Sequence, residues 1–109
     1  MTTFINLTPH DITVEDVSGV RHTFIATGHF PVARVETNYE QVEDMFGFRH
    51  RVISFGSPTG IPDPAPGTIF IVSGLVKGAT TRPDVVAPDT GPDAIRNEKG
   101  HIVAVRGFV

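Results

Sequence analysis

A chain of 109 residues has room for one domain spanning residues 1–109, and it buries roughly two-thirds of the surface that its unfolded form exposes. An apolar fraction of 39% with 19% charged residues fits an ordinary globule, and the absence of cysteine excludes disulfides, thiolate zinc sites and cysteine nucleophiles. The net charge of −3 argues against sequence-independent binding of bulk nucleic acid, which rests on phosphate neutralisation.

Eleven glycines and nine prolines punctuate the chain and cap the length of its elements, which favours short strands. Residues 4–7 (FINL) read as a first strand, closed by Thr8-Pro9, where proline holds Thr8 extended. Residues 11–15 (DITVE) alternate, Ser18-Gly19 turns, and residues 20–26 return as the second arm of a hairpin. Residues 32–37 (VARVET) form another strand. From 39 to 46 the helical spacing of Val42, Met45 and Phe46 competes with a hairpin, and the strand-like run 49–55 after Gly47 favours the hairpin.

Residues 56–67 hold four prolines and read as a stiff surface loop, since too little chain follows for a second domain. Residues 68–73 (TIFIVS) are apolar on both faces, as a central strand should be. A short helix over 74–82, stopped by Pro83, would turn Leu75, Val76 and Ala79 inward. A brief strand at 85–87, a loop at 88–92 and a last hairpin turning at 97–100, with 101–108 closing the sheet, complete the chain. The expected fold is α+β and mostly β, a curved and mainly antiparallel sheet with one short helix after the central strand.

The chemistry motifs are negative. Residues 74–78 (GLVKG) do not match a phosphate-cradling Walker loop, and no glycine run matches a dinucleotide fingerprint. Ser73-Gly74 lacks the second glycine of a nucleophile elbow. The histidines, His10, His22, His29, His50 and His101, are scattered without metal-ligand spacing, and His22-Thr23 does not complete a two-histidine phosphoesterase pair. Glu36, Glu40, Asp63 and Asp84 read as surface carboxylates. No cofactor or metal is expected. The first ten residues lack the basic start and apolar run of a signal peptide, and the apolar stretch at 69–76 is too short to span a bilayer. The expected compartment is the cytoplasm, with no membrane partner.

Two polar stretches remain. Thr8, His10 and Asp11 place a hydroxyl, an imidazole and a carboxylate after a strand, where they line a pocket or simply satisfy the turn. Ser73, Lys77, Thr81 and Arg82 cluster around the helix. Lys77 and Thr81 share a helix face, and Arg82 either forks a phosphate or braces Asp84. Arg96 follows the polar loop 89–93. Seven of the nine cations are arginines, whose planar forks suit discrete anions.

Residues 6–10 (NLTPH), 60–64 (GIPDP), 67–73 (GTIFIVS), 82–89 (RPDVVAPD), 94–96 (AIR) and 100–103 (GHIV) together resemble a family of small proteins found in bacteriophages, prophages and bacterial genomes. The ordered set spans nearly the whole chain. The resemblance implies a phage setting, in which small proteins serve as virion parts, DNA mimics or inhibitors of host defence. The inhibitors include sponges that sequester cyclic nucleotide signals without cleaving them.

The leading expectation is thus a non-enzymatic, homo-oligomeric binder of a small phosphate-bearing ligand in the host cytoplasm. Arg82 and Arg96 would meet phosphate, Lys77 would add positive potential, and Thr8, His10, Ser73 and Thr81 would hydrogen-bond the ligand. The alternatives are an adaptor for virion or host proteins using the proline-rich loop 56–67, and a small hydrolase using His10 with Asp11.

Overall fold

A computed structural model describes residues 2–26, 28, 30–42, 44 and 46–109, so His29 and Met45 lie outside the described residues. The chain runs β1 (Thr3–Asn6), β2 (Ile12–Glu15), β3 (Arg21–Phe24), β4 (Arg34–Gln41), β5 (Arg51–Thr59), β6 (Thr68–Ile71), α1 (Gly74–Gly78), β7 (Val85–Val86), β8 (Ile95–Arg96) and β9 (Ile102–Ala104). The α+β, mostly β class holds. The strands do not form one sheet, however. They divide into a three-stranded unit, β1-β6-β7, and three two-stranded units, β2-β3, β4-β5 and β8-β9.

The three-stranded unit carries the core, and it is parallel throughout. β6 lies at its centre with Phe70 and Ile71 buried, which is why its sequence is apolar on both faces. Leu7, Ala33, Phe70, Val72, Val76 and Val85 pack into one cluster, with Ile5, Val35 and Ile61 against it. The antiparallel pairing expected from the hairpin signals lies in the three ribbons around this unit and in a bridge between Pro88 and Phe108 just past β7. Residues 101–108 meet the core sheet only at their end: β9 pairs with β8, Val105 bridges Val14, and Phe108 bridges Pro88 just past β7, where Ala87 and Val109 exchange backbone hydrogen bonds. Phe4, Phe24 and Phe108 gather where β1, β3 and the C-terminus meet, with ring centroids 5.0–5.9 Å apart.

Several elements differ in extent from their sequence reading, β4 among them, which runs Arg34–Gln41 rather than 32–37; the helix and β5 differ most tellingly. The helix stops at Gly78, so Thr81 lies off it and shares no helix face with Lys77; of its apolar side chains Val76 is buried while Leu75 is exposed. Ser73 at the N-cap accepts from the Val76 amide, but residues 80–82 follow without helical bonding once Ala79 and Thr80 have turned back on Val76 and Lys77. In the other direction, β5 extends through residues 56–59, which composition assigns to the loop. Pro58 pairs opposite Val35, next to a register shift between Val35 and Thr37. Proline is tolerated there because, among the described residues, β5 has no strand on its outer side and needs no further ladder bond.

The described residues between 39 and 46 favour the hairpin, and Met45 of the competing helical spacing lies outside them. β4 and β5 pair from Arg34–Thr59 out to Gln41–Arg51. The connection turns at Phe46 and Gly47, both at positive φ. At the inner end Gly60 has φ 87°, and a Cβ there would stand 3.0 Å from the Val32 carbonyl oxygen, so only glycine lets β5 return so close to the chain entering β4.

Candidate functional site

The turn after β1 is organised by Asn6, which the motif search passed over in favour of its neighbours. Asn6 is buried, and its Nδ2 donates to the carbonyls of His10 and Phe24, each at 2.8 Å. Its Oδ1 accepts from the Thr8 amide at 2.9 Å and lies 2.7 Å from the Thr8 hydroxyl. That hydroxyl also lies 2.9 Å from the His10 carbonyl, and its single proton serves one acceptor at a time. Asp11 accepts from the Ala26 amide at 2.9 Å, tying the turn to the chain leaving β3. Thr8 and Asp11 therefore do structural duty. An Asn two residues before Thr-Pro is an Asx-turn pattern, so the signal for Asn6 was present in the sequence.

His10, by contrast, is exposed and stands on the rim of an open cleft of about 380 Å³. The cleft runs between His10 and Thr13 on one side, Pro88 and Thr90 on another, and Ile102 and Val103 of β9. Its lining is predominantly apolar, with His10, Asp11, Thr13 and Thr90 as its polar side chains. Sequence reasoning named His10 and missed the other wall. Thr90 lies in the polar loop that drew notice, but nothing local indicated that β9 would come to rest beside β2.

No family model, curated protein or solved structure matches this chain.

The second predicted group is engaged within the chain. Arg82 makes the fork to Asp84 that its spacing allowed, Nε to Oδ1 at 3.0 Å and Nη2 to Oδ2 at 2.7 Å, with both side chains mostly buried. The hydrogen-bonded guanidinium holds the Asp84 carboxyl below the usual carboxylate range, and the same contact raises Arg82. Arg82 also stands 5.8 Å from the centroid of the Phe70 ring. Lys77 Nζ donates to the Val85 carbonyl at 2.7 Å, bridging α1 to β7. Ser73 caps the helix, and Thr81 is exposed beyond its end. Arg96 donates to the Gly100 carbonyl at 2.8 Å across the β8-β9 turn, beside an open surface shared with Lys99 and His101. Thr8 and His10 thus belong to the N-terminal turn, Ser73, Lys77, Thr81 and Arg82 to the helix and its exit, and Arg96 to the last hairpin.

Among the described residues no three His, Asp or Glu side chains are grouped to hold a metal ion, and no helix is long and apolar enough to cross a membrane. Elsewhere Asp16 accepts from Ser18, His22 and the Val20 amide. These bonds, that of Ser18 foremost, lower its carboxyl pKa well below the ordinary value.

Proposed function

We propose that this chain is a non-enzymatic binding protein that takes a small nucleotide-type ligand in the cleft beneath His10. The observation that carries the reading is the cleft itself, which sets His10 and Asp11 of the N-terminal turn beside Thr90 of the polar loop 89–93 over a mainly apolar lining. Ile102 and Val103 offer a surface for the flat face of a base, while His10, Thr13 and Thr90 offer hydrogen bonds to its edge, sugar or phosphate. A volume of about 380 Å³ lies within the range for small-molecule sites, at the end suited to a mononucleotide. Phosphate contact would fall to His10, because Lys77, Arg82 and Arg96 are committed to partners inside the chain. Sequestration is preferred to turnover because, among the described residues, no hydrogen bond joins His10 to Asp11, whose Oδ1 accepts the Ala26 amide. In the phage setting that the resemblance implies, such a protein would hold a host nucleotide signal in the cytoplasm without cleaving it.

Calorimetric titration with cyclic and linear nucleotides tests this directly. Binding is expected with at least one of them. His10→Ala should weaken it about tenfold, the loss of one hydrogen bond to a charged group, without moving the melting temperature. Absence of heat with every nucleotide, from protein shown to be folded, would end the proposal. An adaptor role for virion or host proteins draws on a different observation, the exposed apolar face of the β4-β5 hairpin.

A further inference from the structure

Opposed residues of an antiparallel pair project to the same side of the ribbon. The register therefore puts Thr37 and Phe55, Tyr39 and Ile53, and Gln41 and Arg51 on one face of the β4-β5 hairpin, and Asn38, Ser54, Glu40 and Val52 on the other. The first face begins at Val35, which packs against the core cluster. Beyond Val35 it continues outward and loses its cover: Phe55 is 50% exposed, Ile53 53% and Tyr39 56%. The apolar side of the hairpin is thus the extension of its core-facing side, running past the end of its own domain. Arg51, the charged residue of that face, lies 4.5 Å from the centroid of the Tyr39 ring.

The whole molecule shows the same excess. Its radius of gyration is 16.8 Å, against roughly 13 Å for a compact chain of this length. Its accessible surface of 7737 Å² exceeds by roughly 1,800 Å² what a folded monomer of 11.8 kDa exposes. A standard interface takes about 800 Å² from each partner, so the surplus is ample for one. An isolated two-stranded ribbon is also marginal in water and needs a packed face.

We infer that this face docks on the same face of a second copy of the chain, forming a two-fold dimer in which the hairpins pack against each other. The stripe is uncharged apart from the Arg51 end, while Glu36 and Glu40 lie on the other face, so its complement is an apolar surface of equal length. The stripe itself meets that description, as an isologous contact requires. A two-fold axis between the Tyr39–Ile53 and Thr37–Phe55 rungs lays the Tyr39 end of one hairpin over the Phe55 end of the other. There a cleft of about 400 Å³ between Phe55 and Leu75, floored by Gly56, Gly74 and Gly78, receives the ring. Leu75, 53% exposed on a helix of which Val76 is the buried residue, is covered by the same contact. The inference is independent of the His10 cleft, which lies on other elements.

Sedimentation equilibrium over a wide concentration range should show a dimer at micromolar protein. The double variant Ile53→Glu/Phe55→Glu should raise the dissociation constant at least ~100-fold, since carboxylates cannot be buried in an apolar contact without neutralisation. Val52→Glu, on the opposite face, should leave it unchanged. Because the chain has no cysteine, Ile53→Cys gives a second readout in a nearly native protein: mild oxidant should link two copies rapidly at position 53, and Val52→Cys should not link them. A wild-type chain monomeric at all concentrations overturns the inference, even if the stripe captures another protein. So does dimerisation lost with Val52→Glu but kept in the double variant, or cross-linking no faster at 53 than at 52.

Discussion

β6 and β5 are built from similar residues, β-branched and aromatic, yet their fates in the fold are opposite. In β6 the run TIFI is covered on both sides, by β1 and β7 in the sheet and by Leu7, Val76 and Val85 in the cluster. In β5 Val52, Ile53 and Phe55 stand half exposed on a ribbon with a partner on one edge only. Strand propensity accounts for both elements. What separates them is the presence of a second layer, and the comparison teaches that an apolar strand without one marks an interface still to be formed.

The sharpest way to break this comparison is to truncate an aromatic or aliphatic side chain in each region. Phe70→Ala should cost about 3–5 kcal/mol by urea denaturation, since it empties the centre of the cluster. Ile53→Ala, measured at a dilution where the chain is monomeric, should cost less than about 1 kcal/mol and act on association instead. Equal losses would mean that the hairpin is as much a part of the monomer's core as β6.

Asn6 supplies a smaller effect from the covered region. Asn6→Ala removes the side-chain donor to the His10 and Phe24 carbonyls and the acceptor of the Thr8 amide, with the Thr8 hydroxyl still in reach of His10, and should cost about 2–4 kcal/mol, read as a lowered urea midpoint. It should also displace His10 and weaken any ligand of the cleft, whereas hairpin variants should not.

The smallest expected effect concerns acid. Asp84 has its carboxyl pKa held below 3.8 in the folded state. Its contribution is present above the unfolded value and is lost as pH falls through the folded one. Asp84→Asn should therefore cost about 1 kcal/mol at neutral pH and flatten the decline in stability below about pH 4. An unchanged acid limb would assign that decline to Asp16 and other carboxylates instead.

Much of the local structure was legible. The alternation at 11–15 and 20–26, the turn at Ser18-Gly19 and the two-sided run at 68–73 each state a local preference, and each became a strand or a turn. The hairpin at 34–59 was legible in kind but not in length, because Pro58 reads as a breaker unless the outer edge is known to be free. The site was less legible. His10 was named from its rigid turn, and the alternatives posed for Thr8, Asp11 and Arg82 were real ones that only partners distant in sequence or fixed in space could decide. Arg82 and Asp84 are two residues apart, so a fork between them and a fork on a ligand are equally written in the sequence.

By itself the sequence determined a strand-rich α+β chain with one short helix and an arginine-dominated set of cations. Periodicity, proline and glycine act within a few residues and need no distant partner. Only the tertiary structure decided that the core sheet is parallel, since β1 meets β6 across some sixty residues of intervening chain. It alone decided that Arg82 and Arg96 are engaged within the chain, that β9 completes the cleft under His10, and that one face of a hairpin is left uncovered. Each of these depends on which surfaces long-range packing brings together, and no local pattern encodes that.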